Sequence, residues 1–133
     1  FALFQPLSDR EIEVLERTLK VQRKAPGVIW FDFDTLCGGN RSQNDYLEIA
    51  REHHTLILSR VPRMSAGMAS EARRFTWLID VLYDHRVKLV VRAECQAYDL
   101  YREGHKANEF LRTVSRLIEM RSRDYLAEAH RTE

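Results

Sequence analysis

Residues 55–91 read TLILSRVPRMSAGMASEARRFTWLIDVLYDHRVKLVV, and their patterning decides the fold. Thr55-Leu56-Ile57-Leu58 is a short aliphatic run that suits a strand, ended by Val61-Pro62. A small-residue loop over 63–70 carries Gly67 and two methionines. Ala72, Phe75, Leu78, Ile79 and Leu82 then recur at three- and four-residue spacing, which predicts a helix over 71–85 with Ser70 as its N-cap. Trp77 and Val81 fall on a second side, so this helix is apolar on more than one face. His85-Arg86 is a tight turn into the strand Val87-Lys88-Leu89-Val90-Val91. Two strands joined by such a helix lie parallel through a right-handed crossover.

Outward from this unit, Val28 to Phe33 reads as another strand, with Ile29, Phe31 and Phe33 on one face and Trp30, Asp32 and Asp34 on the other. Gly38-Gly39-Asn40 breaks the chain. Ser42 then caps a helix running to His53, and Asp45 sits in its first turn where the helix dipole favours an acid. Upstream, Thr18-Leu19-Lys20-Val21-Gln22 alternates like a half-buried strand, and Lys24-Ala25-Pro26-Gly27 is turn chemistry that pairs this strand with 28–33 as a hairpin. Ser8 and Glu11 form a capping-box pattern for a short helix over 9–16. Downstream, a loop over 94–106 holds Tyr98, Tyr101 and Gly104, and a last helix over 107–123 carries Phe110, Leu111, Val114, Leu117 and Ile118. The polar residues 124–133 are expected to fray. The expected fold is α/β, with a small mixed, locally parallel sheet and flanking helices, in a single domain over 1–133.

The chain's chemistry is mostly a matter of exclusion. Basic and acidic residues number 21 and 20, so a polyanion or nucleic-acid binder is not expected. No apolar run approaches the roughly 20 residues that cross a bilayer, so membrane insertion is not expected. Cys37 and Cys95 match no zinc spacing and no redox pair, and read as thiols of a cytoplasmic protein. The glycines at 27, 38, 39, 67 and 104 do not form G-x-x-x-x-G-K-[ST], so this stretch alone has no loop to cradle a triphosphate. Asp32 and Asp34 could hold magnesium, but solvent-facing alternation is the simpler reading. No metal site is expected from the scattered histidines. The basic set is 17 Arg against 4 Lys, and the planar guanidinium fork suits phosphates and carboxylates. Arg73-Arg74 open one helix, and Arg112 and Arg116 share a face of another, with Glu109 and Glu119 near enough for surface ion pairs. The first residue is Phe1, so the protein's start is expected further upstream.

Five stretches taken in order resemble the C-terminal part of the ZapE (AFG-one-like) P-loop ATPases. They are Trp30 to Cys37, Arg41 to Leu47, Glu71 to Phe75, Leu78 to Asp84 and Phe110 to Met120. The resemblance spans about residues 4 to 126. It implies an AAA-like P-loop ATPase of bacterial cell division, with ATP and Mg2+ bound by an upstream portion of the same protein and none expected on this chain alone. It also implies FtsZ as a partner and a possible homo-oligomer. Arg73, Arg74, Arg112 and Arg116 become candidates for sensing a nucleotide phosphate. Trp77, Tyr98 and Tyr101 are candidates for an interface, since aromatics anchor protein contacts. Family members usually carry prolines where Cys95-Gln96-Ala97-Tyr98-Asp99 stands, and their segment corresponding to Leu7–Arg17 is longer.

Overall fold

A computed structural model describes residues 11–14, 17–20 and 23–132. Its main sheet has the order β3-β4-β5-β6, made of Arg23–Ala25, Val28–Asp32, Thr55–Val61 and Lys88–Ala93. The last three strands are parallel; β3 joins β4 antiparallel at one edge. β1 (Glu11–Val14) and β2 (Arg17–Lys20) form a separate two-stranded antiparallel ribbon. The α/β reading therefore holds.

Three expectations for the first 37 residues do not hold. Residues 11–14 are a strand, not part of a helix over 9–16; β2 offers them a cross-strand partner, which the capping-box pattern could not show. β2 pairs with β1 and not with β4. The hairpin partner of β4 is instead Arg23–Ala25, and only Pro26-Gly27 turns the chain. Gly27 has φ +74, its carbonyl takes the N–H groups of His54 and Thr55, and a Cβ there would stand 2.4 Å from the His54 ring. Finally, β4 stops at Asp32 and a short helix, α1 (Phe33–Cys37), begins at once. Phe33, Leu36 and Cys37 are buried by this helical turn, whereas period-two alternation would have split them between faces.

The helices follow the apolar spacing. α2 (Gln43–Glu52) starts at Ser42, whose N–H donates to the Asp45 carboxylate at 2.8 Å. α3 (Ala69–Asp84) begins two residues earlier than its pattern, with Met68 and not Ser70 at the N-cap, because a 3-10 turn over Ala66–Met68 leads into it. α2 and α3 pack against each other on one face of the sheet, over Ile29, Phe31, Leu56 and Leu58. Within this core the Cys37 thiol is pushed up to about 12 by burial, partly offset by a hydrogen bond with Tyr46. No helix among the described residues is long and apolar enough to cross a membrane.

The C-terminal region also differs from expectation. The helix α4 covers Phe110–Glu119 only, and a separate α5 (Arg123–Ala127) follows. The residues expected to fray are anchored. Tyr125 is buried, its hydroxyl donates to the carbonyls of Val87 (2.7 Å) and Leu82 (3.2 Å), and Arg131 N–H reaches the carbonyl of His85. A buried aromatic in a polar stretch, joined by Lys88 Nζ on the carbonyl of Glu128 and the Arg86–Glu128 ion pair, docks it.

Candidate functional site

α3 and α4 are fastened side by side by an aromatic contact. Phe75 stacks on Phe110 at 6.0 Å between centroids, Phe110 meets the edge of Tyr101 at 5.5 Å, and the buried Thr113 hydroxyl bonds to that of Thr76. Above this contact lies a groove of about 600 Å³. Its floor is apolar, with Ala72, Trp77 and Phe110, and its rim carries Arg73, Lys106 and Arg112 together with the carboxylate of Glu109.

The rim is held by backbone that other sequences would avoid. Gly104 has φ +120, and a Cβ there would meet Tyr101 Oη at 2.6 Å and Ala66 Cα at 2.9 Å. Lys106 takes φ +61, a left-handed conformation uncommon outside glycine. Tyr101 donates from its hydroxyl to the carbonyl of His105, locking the segment that presents Lys106. Local strain is thus supported by tight contacts with the 3-10 turn before α3.

The four candidate arginines separate into two kinds. Arg74 donates from Nε to the carbonyl of Cys37 at 2.7 Å, which ties α3 to α1. Arg116 forms an ion pair with Asp80 and lies over the Tyr83 ring, so it ties α4 to α3. Both are engaged in contacts between elements of the fold. Arg112 is 67% exposed and touches the same Asp80 at 3.4 Å, a weak hold. Arg73 lies over the Trp77 ring, 5.2 Å from its centroid, with no carboxylate partner among the described residues. The Glu109–Arg112 and Glu119–Arg116 pairs anticipated from spacing are replaced by contacts to Asp80, across the helix–helix seam. Glu119 instead accepts from the Tyr83 hydroxyl, and that bond raises the pKa of the phenol.

The aromatic candidates also separate. Trp77 is half-buried in the groove floor. Tyr101 is 4% exposed and serves the groove from within, not as an exposed contact; Tyr98 is exposed but lies outside the groove lining. Sequence spacing missed Lys106 and His105, which the fold brings to α3 from a distant loop; Gly104 beside them was the available signal.

A second, broader cavity of about 910 Å³ lies at the carboxyl ends of the parallel strands, a usual place for ligands in such sheets. There Trp30 Nε1 donates to Ser59 Oγ at 2.9 Å, and Ser59 donates to Asp32 at 2.6 Å. Asp34 is not beside Asp32, because α1 turns it to solvent. The acidic pair of the sequence therefore makes no common site. No group of three or more His, Cys, Asp or Glu among the described residues could hold a metal ion.

With the geometry set out, comparison with known proteins decides the lineage. The sequence pattern of the AFG1-like ATPase family matches residues 2–129. The chain belongs to that family. The cell division protein ZapE of Escherichia coli K12 is 42% identical over 119 residues, covering 90% of this chain and 32% of that protein. An uncharacterized protein of Schizosaccharomyces pombe is 35% identical over 96 residues, 72% of this chain and 21% of its own length. Lactation elevated protein 1 homolog B of Danio rerio is 31% identical over 172 aligned positions, 99% of this chain and 34% of that protein. That alignment is longer than the chain, so the zebrafish protein carries insertions relative to it. The chain spans about a third of the length of the E. coli and zebrafish relatives. No solved structure matches it.

The family implies ATP and a metal ion in the whole protein, and the described residues do not fit either. Gly38-Gly39 makes no phosphate cradle: the Gly38 N–H is already bonded to the Asp34 carbonyl at 3.0 Å, and Gly39 leads straight into the capped start of α2. Asp32 accepts from Ser59, and among the described residues it belongs to no cluster of three or more metal-binding side chains.

Proposed function

We propose that the chain is the C-terminal part of a ZapE-type, AAA-like ATPase of the cytoplasm, and that it completes or regulates an ATP site whose phosphate-binding loop lies elsewhere in the polypeptide. The observation carrying this is the family match along residues 2–129 of a chain that has no G-x-x-x-x-G-K-[ST]. A segment without that loop contributes charge and shape to a site and not the cradle itself. Of the four arginines, Arg73 is the one best placed to meet a phosphate oxygen presented from outside the chain, since its guanidinium lies at an open groove without a carboxylate partner. Arg112 is next, being mostly exposed.

A second reading concerns the same groove. Trp77 beneath Arg73 is the type of pair that anchors protein contacts, so the groove also suits docking of a protein, with FtsZ the partner that the sequence resemblance implies, or a neighbouring subunit. The test of the primary reading is phosphate release, measured for the full-length protein and for the 133-residue chain. Turnover is expected in the former and none in the latter. Hydrolysis by the purified chain alone, or an inert full-length protein, overturns the reading.

A further inference from the structure

The main sheet ends differently at its two edges. β3 is three residues long and contains Arg23 and Lys24, a short charged edge that discourages further pairing. β6 is six residues long and, among the described residues, has only β5 as a neighbour. Its hydrogen-bonding phase can be read directly. Lys88 N–H donates to the His54 carbonyl at 2.8 Å, and Glu94 N–H to that of Val61 at 3.0 Å. Even-numbered residues therefore turn their backbone groups toward β5. Leu89, Val91 and Ala93 turn theirs outward, where no backbone partner stands among the described residues. The C-terminal segment closes only the entrance to this edge, through Lys88 Nζ on the carbonyl of Glu128 and Arg131 N–H on that of His85.

The side chains of β6 fit the same picture. Val90 is 49% exposed on the face opposite the helices, in register with Ile57 and Trp30. Parallel strands are ordinarily buried on both faces, so an aliphatic strand of this kind is an incomplete surface.

We infer that the free edge of β6 is where the sheet continues: it receives one aliphatic strand, in hydrogen-bond register with Leu89 and Val91, from the part of the ATPase polypeptide outside these 133 residues. This rests on the proposal that the chain is one part of a longer ATPase, in keeping with its covering 32% of E. coli ZapE. A second copy of this chain is the poorer occupant. Two β6 edges paired about a twofold axis at Val90 run antiparallel and set Lys88 of each opposite Arg92 of the other, a like-charge pairing that destabilises a sheet. A strand with an acidic residue beside Arg92 is free of this penalty.

The experiment is residue-resolved amide exchange on the full-length protein, in a preparation also assayed for ATP turnover. Lys88 and Val90 are the internal control, because β5 protects them in any case. Leu89 and Val91 are expected to exchange within about tenfold of those two; rates about 100-fold faster at Leu89 and Val91 alone overturn the inference. A photo-crosslinking residue at Val90 identifies the occupant. Capture of a peptide from outside the 133 residues supports it. Capture of a peptide from within them, or of another copy in an isotopically mixed sample, overturns it. A protein that is inert toward ATP yet protected at Leu89 and Val91, with the crosslink outside, removes the ATPase reading and leaves the strand pairing standing.

Discussion

The two ends of α3 use the same residue types for opposite ends. At its C-terminal end the arginines and tyrosine rings engage one another and nearby carboxylates. Arg86 bonds Glu128 at 2.8 Å while lying over Tyr83 and Tyr125, and Arg116 holds Asp80. At its N-terminal end Arg73 and Lys106 stand at an open groove with no ion pair to a carboxylate among the described residues, and the strain goes into the loop that presents Lys106. An arginine's role here is set by what the fold places within 4 Å of it, so residue type alone could not assign it.

The contrast is open to attack, beginning with the strongest effect. Tyr125→Ala should cost about 3–5 kcal/mol in denaturant unfolding, since it empties a buried ring site and abandons two carbonyls. A loss below about 1 kcal/mol would mean that the C-terminal segment is not docked as described. Gly104→Ala should cost about 1–3 kcal/mol, because φ +120 and the contact with Tyr101 both exclude a Cβ. Its effect should concentrate at the groove rim, read as faster exchange of the amides at 105–107. Asp80→Ala removes the shared partner of Arg112 and Arg116; about 1 kcal/mol is expected, given that the carboxylate is partly exposed.

A smaller effect is pH-dependent. The Glu128 carboxyl is held below its ordinary value of 4.5, chiefly by its hydrogen bond from Arg86, with Arg131 and Lys88 adding charge. The folded state thus favours the ionised acid. Its contribution is present above about pH 4.5 and is lost as pH falls through the lower folded value. Fluorescence of the nearby tyrosines should report loosening of this end on acidification, and Glu128→Gln should remove that step.

The parallel unit was the most legible part of the sequence. Residues 55–91 carry a long period-3.6 stripe between two aliphatic runs, and both strands and α3 stand where that pattern puts them, apart from an earlier start to the helix. Period-two reasoning failed at Phe33, where burial of Leu36 and Cys37 against α3 favours a helical turn. The segment before residue 25 is less legible, because strand pairing depends on a partner that local propensity does not reveal. In the groove, Arg73, Trp77, Tyr101 and Arg112 were singled out by type and spacing. Lys106 was not, because its place depends on a loop folding back over α3. Nor could spacing separate Arg73 from Arg74: adjacent on the helix, they point to different surroundings.

The most direct test of that separation compares Arg73→Ala with Arg116→Ala in the full-length protein, measuring both thermal unfolding and ATP turnover. Arg73→Ala should leave stability within about 0.5 kcal/mol and lower turnover by about a thousandfold, as for an arginine that meets a transferring phosphate. Arg116→Ala should lower stability and leave the turnover of the folded fraction near normal. Undiminished turnover with Arg73→Ala, or a stability loss there equal to that of Arg116→Ala, would contradict the assignment.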